Sequence, residues 1–154
     1  LLLLDGITDP HNLGALVRSA EVLGAHGVVI PDRDAAPVTP AAVKASAGAT
    51  ERVKIVRIGN LLRTIDALRE RGIRVYGSGA PKGDGDGDGV PLDKIDLRAP
   101  VALVIGAEGR GMREAVVRRC DGVFHIPQRG AVSSLNASVA GAIALYEAAR
   151  QRLC

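Results

Sequence analysis

Aromatic side chains are scarce in this sequence: two Tyr, one Phe and no Trp among 154 residues. Tyr76, Phe124 and Tyr146 are too few to grip a single strand by stacking successive bases, so any contact with nucleic acid must work through charge and shape. Cysteine is nearly as rare. Cys120 and Cys154 cannot make a disulfide scaffold, and neither has a second ligand at metal-binding spacing, so a reducing cytoplasm is the expected setting. No apolar run approaches the roughly 18 residues that could span a bilayer, and no membrane partner is expected. The opening Leu1 to Leu4 is followed at once by Asp5 and lacks a basic flank, which excludes a signal peptide and leaves a buried strand. The chain enters that strand without an initiator Met, which predicts that residues upstream have been removed.

What the sequence does have is size and cationic bias. At 15.9 kDa, with 47% hydrophobic residues and a mean hydropathy of +0.15, it fits one globular domain. Twenty Lys and Arg against seventeen Asp and Glu give a net charge of +3, and sixteen of the twenty are Arg. The planar Arg fork pairs bidentately with phosphate, so the balance leans towards nucleic acid or nucleotide.

Short apolar runs at Leu1–Leu4, Val28–Ile30, Val53–Val56, Ile73–Tyr76, Val101–Ile105 and Val123–Ile126 alternate with helical periodicity. This predicts an α/β fold with a mainly parallel, six-stranded sheet flanked by helices. Asp9-Pro10 is the expected start of a first helix with Leu13, Leu16, Val17, Ala20 and Leu23 on one face. A second helix is expected over Asn60 to Arg71, ending at Gly72, and a short one over Met112 to Arg119. A last helix is expected over Leu135 to Arg150, with Val139, Ala142, Ile143 and Tyr146 inward. The repeat Gly83–Gly89 matches half of a calcium loop, but loop position twelve falls on Ile95, so an acidic surface insertion is expected instead.

Three polar clusters fall where strands end and helices begin, the ligand-binding rim of an open α/β sheet. The first holds Asn12, Gly14 and Arg18. Gly14 lies one turn below Arg18, and its missing side chain would leave room for a substrate; a solvated Arg on an exposed face is the alternative. The second is Gly106 to Gly111. Its spacing fits neither the dinucleotide fingerprint nor the Walker loop, and Glu108 within it is either a helix-terminal acid or a functional carboxylate. The third runs from Ile126, Pro127, Gln128 and Gly130 to Ser133, Ser134, Leu135 and Asn136. Either serine could cap the last helix. Asn136 is a poor helix former ahead of an apolar stripe, so its amide should have a specific partner.

These three clusters, read as TDPHNLGALVRSAE, VIGAEGRGM and SSLNASVA, resemble in order and separation the motifs of the SpoU (TrmH-type) branch of the SPOUT RNA ribose 2′-O-methyltransferases. The resemblance is strongest to the enzymes that methylate a guanosine in 23S rRNA, and the Lys44–Ala49 segment of this chain also resembles that branch. It covers essentially the whole chain. Gln128 departs from it, since relatives usually carry Met there, as does the acidic repeat. The resemblance implies one catalytic domain over residues 1–154, without the small N-terminal RNA-recognition domain that many relatives carry. It also implies a deep C-terminal trefoil knot and a homodimer with active sites shared between subunits. S-adenosyl-L-methionine is the implied cofactor, held by Gly106, Ile126, Pro127, Gly130 and Leu135. The implied catalytic residues are Arg18, Asn12, Glu108, Ser134 and Asn136, with no metal. The implied partner is RNA, either rRNA or tRNA.

Chemistry tempers one of these roles. Arg stays protonated near neutral pH, so Arg18 is better suited to binding phosphate and stabilising a developing alkoxide than to acting as a base. Two other functional classes compete with this reading. The failed fingerprint disfavours a nicotinamide-dependent oxidoreductase. A non-catalytic RNA-binding module would not need Arg18, Glu108 and Asn136 together.

Overall fold

Leu2 and Leu4 turn to one side of a sheet and Leu3 to the other, and all three are fully buried, because helices cover both faces. The computed structural model describes residues 1–79, 89–132 and 134–153. Their order is β1 (Leu2–Asp5), α1 (Pro10–Val22), β2 (Val28–Pro31), α2 (Pro40–Ala45), β3 (Ile55–Ile58), α3 (Leu61–Glu70) and β4 (Arg74–Ser78). There follow β5 (Val90–Pro91), β6 (Val101–Gly106), α4 (Glu114–Val117), β7 (Gly122–His125) and α5 (Ala137–Leu153). All the pairings are parallel, and the strands lie in the order β3-β2-β1-β6-β4-β7-β5.

The sheet therefore has seven strands where the sequence predicts six. The addition, β5, is two residues long and sits at the sheet edge. It is too short to carry a periodic signal, and an edge is where Pro91 is tolerated. The strand expected at Val53–Val56 is displaced by two residues, to Ile55–Ile58.

One face of the sheet packs Leu2, Leu4, Val28, Ile30, Leu103 and Ile105 against α1 and α5, and the other packs Leu3, Val29, Ala102 and Val104 against α3 and α4. The helix starts follow from their caps. Asp9 accepts the N–H of His11 at 2.9 Å ahead of Pro10, and Asn60 accepts that of Arg63 at 3.1 Å. Gly72, at φ +76°, ends the second of these helices in the conformation that favours glycine.

Helix α5 is turned differently from expectation. Ala137, Gly141, Ala144, Leu145 and Ala148 face the core, whereas Val139, Ile143 and Tyr146 are 46%, 36% and 58% exposed. Both sides of this helix are apolar, so periodicity cannot choose between them. Close approach decides: a Cβ on Gly141 would stand 2.3 Å from Cδ2 of Leu16, so only the small-residue side lets α5 settle onto α1. The tail of α5 is then fastened to the segment ahead of β6. Gln151 accepts the N–H of Leu97 at 2.8 Å, and Arg152 Nε donates to the Leu97 carbonyl at 3.1 Å. Glu147 accepts from Arg150 and Gln151, and the Arg150 hydrogen bond lowers its carboxyl pKa despite partial burial.

Gly14 also has a role different from the expected one. Its absent side chain does not open a path to Arg18, because α2 fills the space. A Cβ there would lie 2.4 Å from the Ala42 carbonyl oxygen and 2.6 Å from Cβ of Ala45. The Lys44–Ala49 segment is thus the platform on which α1 rests, and Ser46 within it is fully buried. Of the acidic repeat, residues 83–88 lie outside the described residues, as do Ser133 and Cys154.

Candidate active site

The carboxyl ends of β4, β6 and β7 open into a cleft of about 830 Å³, within the usual range of a small-molecule site. Its wall is apolar where Ile105, Met112, Val123, Phe124, Ile126 and Leu135 contribute, and polar at Glu108, Gln128 and Ser134. Gly106 ends β6 with its N–H donated to Ser78 Oγ at 3.2 Å. The chain then doubles back: the N–H of Ala107 donates to the Gly111 carbonyl at 3.1 Å, and that of Gly111 to the Ala107 carbonyl at 2.8 Å. This closure leaves no space for a side chain at Gly106, whose Cβ would stand 2.3 Å from the Met112 nitrogen. Gly109 and Gly111 turn the corner at φ +74° and +71°.

The returning chain displays Glu108 towards the start of α5. There the side chain of Asn136 works in both directions. Its Oδ1 accepts the Ser138 N–H at 2.9 Å and the Ser138 hydroxyl at 2.6 Å, which makes Asn136 the cap of α5. Its Nδ2 donates to Asn12 Oδ1 and to Glu108 Oε2, each at 3.0 Å. One amide therefore joins α1, the β6 turn and the entry to α5. The cap expected at Ser133 or Ser134 is replaced by Asn136, which satisfies the orphan amides of the helix with its oxygen and the neighbouring clusters with its nitrogen.

Residues 1–146 match the SpoU rRNA Methylase family. The chain belongs to that family. It is 50% identical over 153 residues to the 23S rRNA (guanosine-2′-O-)-methyltransferase RlmB of a Burkholderia species, covering 99% of this chain and 60% of the relative. The SpoU methyltransferase AviRb from Streptomyces viridochromogenes, solved in complex with the cofactor AdoMet, superposes with a TM-score of 0.88 at 34% identity, over 99% of this chain and 60% of that one. The A. aeolicus TrmH/SpoU tRNA modifying enzyme superposes equally well at 27% identity, over 99% of this chain and 75% of that one. The chain spans 38% to 60% of the length of the curated relatives it matches. The resemblance read from the three motifs is thus upheld, and the mainly parallel α/β fold is shared with the solved SpoU proteins.

The structure unites part of the predicted set. Gly106, Ile126 and Leu135 line the cleft with Glu108 and Ser134, and Gln128 is there too, so its departure from the SpoU pattern falls within the pocket. Pro127 and Gly130 are exposed and lie outside that lining. Asn12 and Asn136 join Glu108 through hydrogen bonds. Arg18 stands apart: it is exposed on α1, and its side chain has no hydrogen bond or ion pair among the described residues. Cys120, behind the Met112 wall, is no candidate nucleophile, because burial pushes its thiol up to about 11.

Sequence reasoning missed Asp5 and Arg113. Asp5 is 1% exposed at the end of β1 and accepts from Arg113. The available signal was a lone carboxylate terminating a fully apolar strand, a position that needs a partner when buried.

Proposed function

We propose that this chain is the catalytic part of an S-adenosylmethionine-dependent methyltransferase acting on a ribose 2′-hydroxyl of RNA, its target a guanosine in 23S rRNA. The observation that carries this reading is the junction of Asn12, Glu108 and Asn136, one residue from each motif, beside the cleft that Glu108, Ser134 and Leu135 line. The guanosine assignment draws on the 50% identity with RlmB over almost all of this chain. A cytoplasmic setting belongs to the same reading; no described helix is long and apolar enough to cross a membrane.

The cleft fits the cofactor by size and by its division into an apolar wall and a polar one. Gly106, Ile126 and Leu135 would hold it, with Pro127 and Gly130 shaping the adjoining turn. When bound, it supplies a methyl group on a sulfonium sulfur, which needs no metal to be electrophilic. The chain's part is to hold a poorly nucleophilic hydroxyl in line and to steady the charge that develops on it. Glu108, Asn12 and Asn136 fix one another and thereby the rim on which the ribose rests, with Ser134 beside them. Arg18, a guanidinium donor, binds the neighbouring phosphate and stabilises the developing alkoxide.

Arg18 performs that role in a homodimer. Its exposure away from the cleft suits a site completed by a second copy. Val139, Ile143 and Tyr146 form an exposed apolar stripe at helical spacing on α5, which a second copy would cover. Sedimentation at micromolar concentration is expected to give two chains per particle; a 15.9 kDa species would remove the shared site. The C-terminal trefoil knot belongs to the same proposal.

Mapping 2′-O-methyl groups in total RNA, with and without the gene for the complete protein, tests the reaction. The expected result is loss of methylation at one guanosine of 23S rRNA. Loss confined to tRNA would move the substrate, and an unchanged map would overturn methyl transfer.

A further inference from the structure

The carboxylate of Asp5 reaches a residue 108 positions later in the chain. Its Oδ2 accepts the backbone N–H of Arg113 at 2.8 Å, and its Oδ1 accepts Arg113 Nε at 2.7 Å. Arg113 follows the Gly106–Gly111 turn and precedes α4, where its side chain caps nothing. The other leg of the turn is also tied to β1, since Asp5 pairs in register with Gly106 across the β1–β6 ladder.

A second observation concerns the next residue. Gly6, at φ +77°, leaves a gap over which the turn lies. A Cβ there would be 2.9 Å from Nη2 of Arg110 and 3.4 Å from Cβ of Ala107. Asp5 thus grips the far leg, the ladder holds the near leg, and Gly6 admits the middle. Packing alone does not account for this. Leu2, Leu3 and Leu4 fill the same strand with apolar side chains, and a buried carboxylate is tolerated only where it is paired and hydrogen-bonded.

We infer that Asp5 and Arg113 form a latch that sets the position of the Gly106–Gly111 turn, and with it Glu108, relative to the cofactor cleft. Neither residue lines the cleft. Asp5 is a positioning residue that acts through Arg113. The inference rests on the cofactor reading proposed above.

Two readouts on the present chain test it: calorimetric titration with S-adenosylhomocysteine, and amide hydrogen exchange without ligand. Asp5→Asn is expected to weaken binding by about tenfold, the scale of one weakened charge-assisted hydrogen bond. Arg113→Gln should weaken it less, because the backbone N–H still reaches Asp5, and Arg113→Lys should recover part of the loss. In Asp5→Asn and Arg113→Gln, amides of residues 106–113 should exchange faster while those of β2 and α3 remain as protected as before. Affinity within about twofold of the unaltered chain, with unchanged exchange in the turn, would overturn the latch. So would uniformly faster exchange across the whole sheet, since the pair would then be general scaffolding. If the unaltered chain binds no S-adenosylhomocysteine, the cofactor reading fails instead, and the exchange result alone still decides whether the pair holds the turn.

Discussion

Arg18→Ala in the complete protein is expected to slow single-turnover methyl transfer by about 10² to 10³, leaving cofactor affinity unchanged. The expectation follows from where the residue stands. Arg18 is exposed, has no partner among the described residues, and lies outside the cleft lining. Its removal breaks no side-chain hydrogen bond or ion pair among the described residues, so unfolding followed in parallel should show stability close to wild type. Nor does Arg18 line the cleft, so binding of the cofactor should not register the change. Loss of an interaction that strengthens only as charge develops on the ribose oxygen lowers the rate without altering ground-state binding. Arg18→Lys separates two forms of that interaction. Lysine keeps the charge and loses the fork, so partial activity would indicate simple electrostatics and complete loss would indicate bidentate positioning. A rate within about threefold of wild type for the alanine variant would make Arg18 a solvated surface cation and remove it from the reaction.

The sequence made some of this legible and concealed the rest for physical reasons. β1, β2, β4, β6 and β7 could be read because their apolar runs are bounded by turns, and β1, β2 and β6 are buried on both faces. α1 and α3 could be read because their caps, Asp9 and Asn60, act over two or three residues. α5 was misoriented because its core side is built from Ala and Gly while its outer side carries Val139, Ile143 and Tyr146, a choice made by close contact with Leu16. Gly14 was misread for a related reason: helical spacing describes the helix that bears a residue and says nothing of α2 lying against it. The site followed the same pattern. Asn136 was evidently in need of partners, but Asn12 lies 124 residues away and Glu108 lies 28 away, and no local rule selects them. Asp5 was marked as a lone carboxylate closing an apolar strand, but Arg113 lies 108 residues away and looks ordinary until the sheet brings the two together.

Asn136 carries the other large expected effect, and two substitutions divide its roles. Asn136→Ala removes the α5 cap together with both bridging hydrogen bonds. It should cost about 1 kcal/mol of stability, as lost caps do, and reduce methyl transfer as well. Asn136→Asp is more informative. A carboxylate oxygen still accepts the Ser138 N–H, so the cap and the unfolding midpoint should stay close to wild type. The other oxygen, however, replaces a donor that stood 3.0 Å from both Glu108 Oε2 and Asn12 Oδ1. Two carboxylates at that distance repel, which should push the junction apart and slow methyl transfer by about 10² at neutral pH. The sign of the pH dependence follows. Like charges raise the pKa of the pair, so on acidification the substituted carboxyl and Glu108 come to share a proton, which restores one donor between them. The variant's rate relative to wild type should therefore rise as pH falls, whereas Asn136→Ala should show no such recovery. Single-turnover rates across that pH range, with unfolding followed in parallel, give the comparison. A near-wild-type rate for Asn136→Asp at neutral pH would mean that the junction of the three motifs supports only the helix.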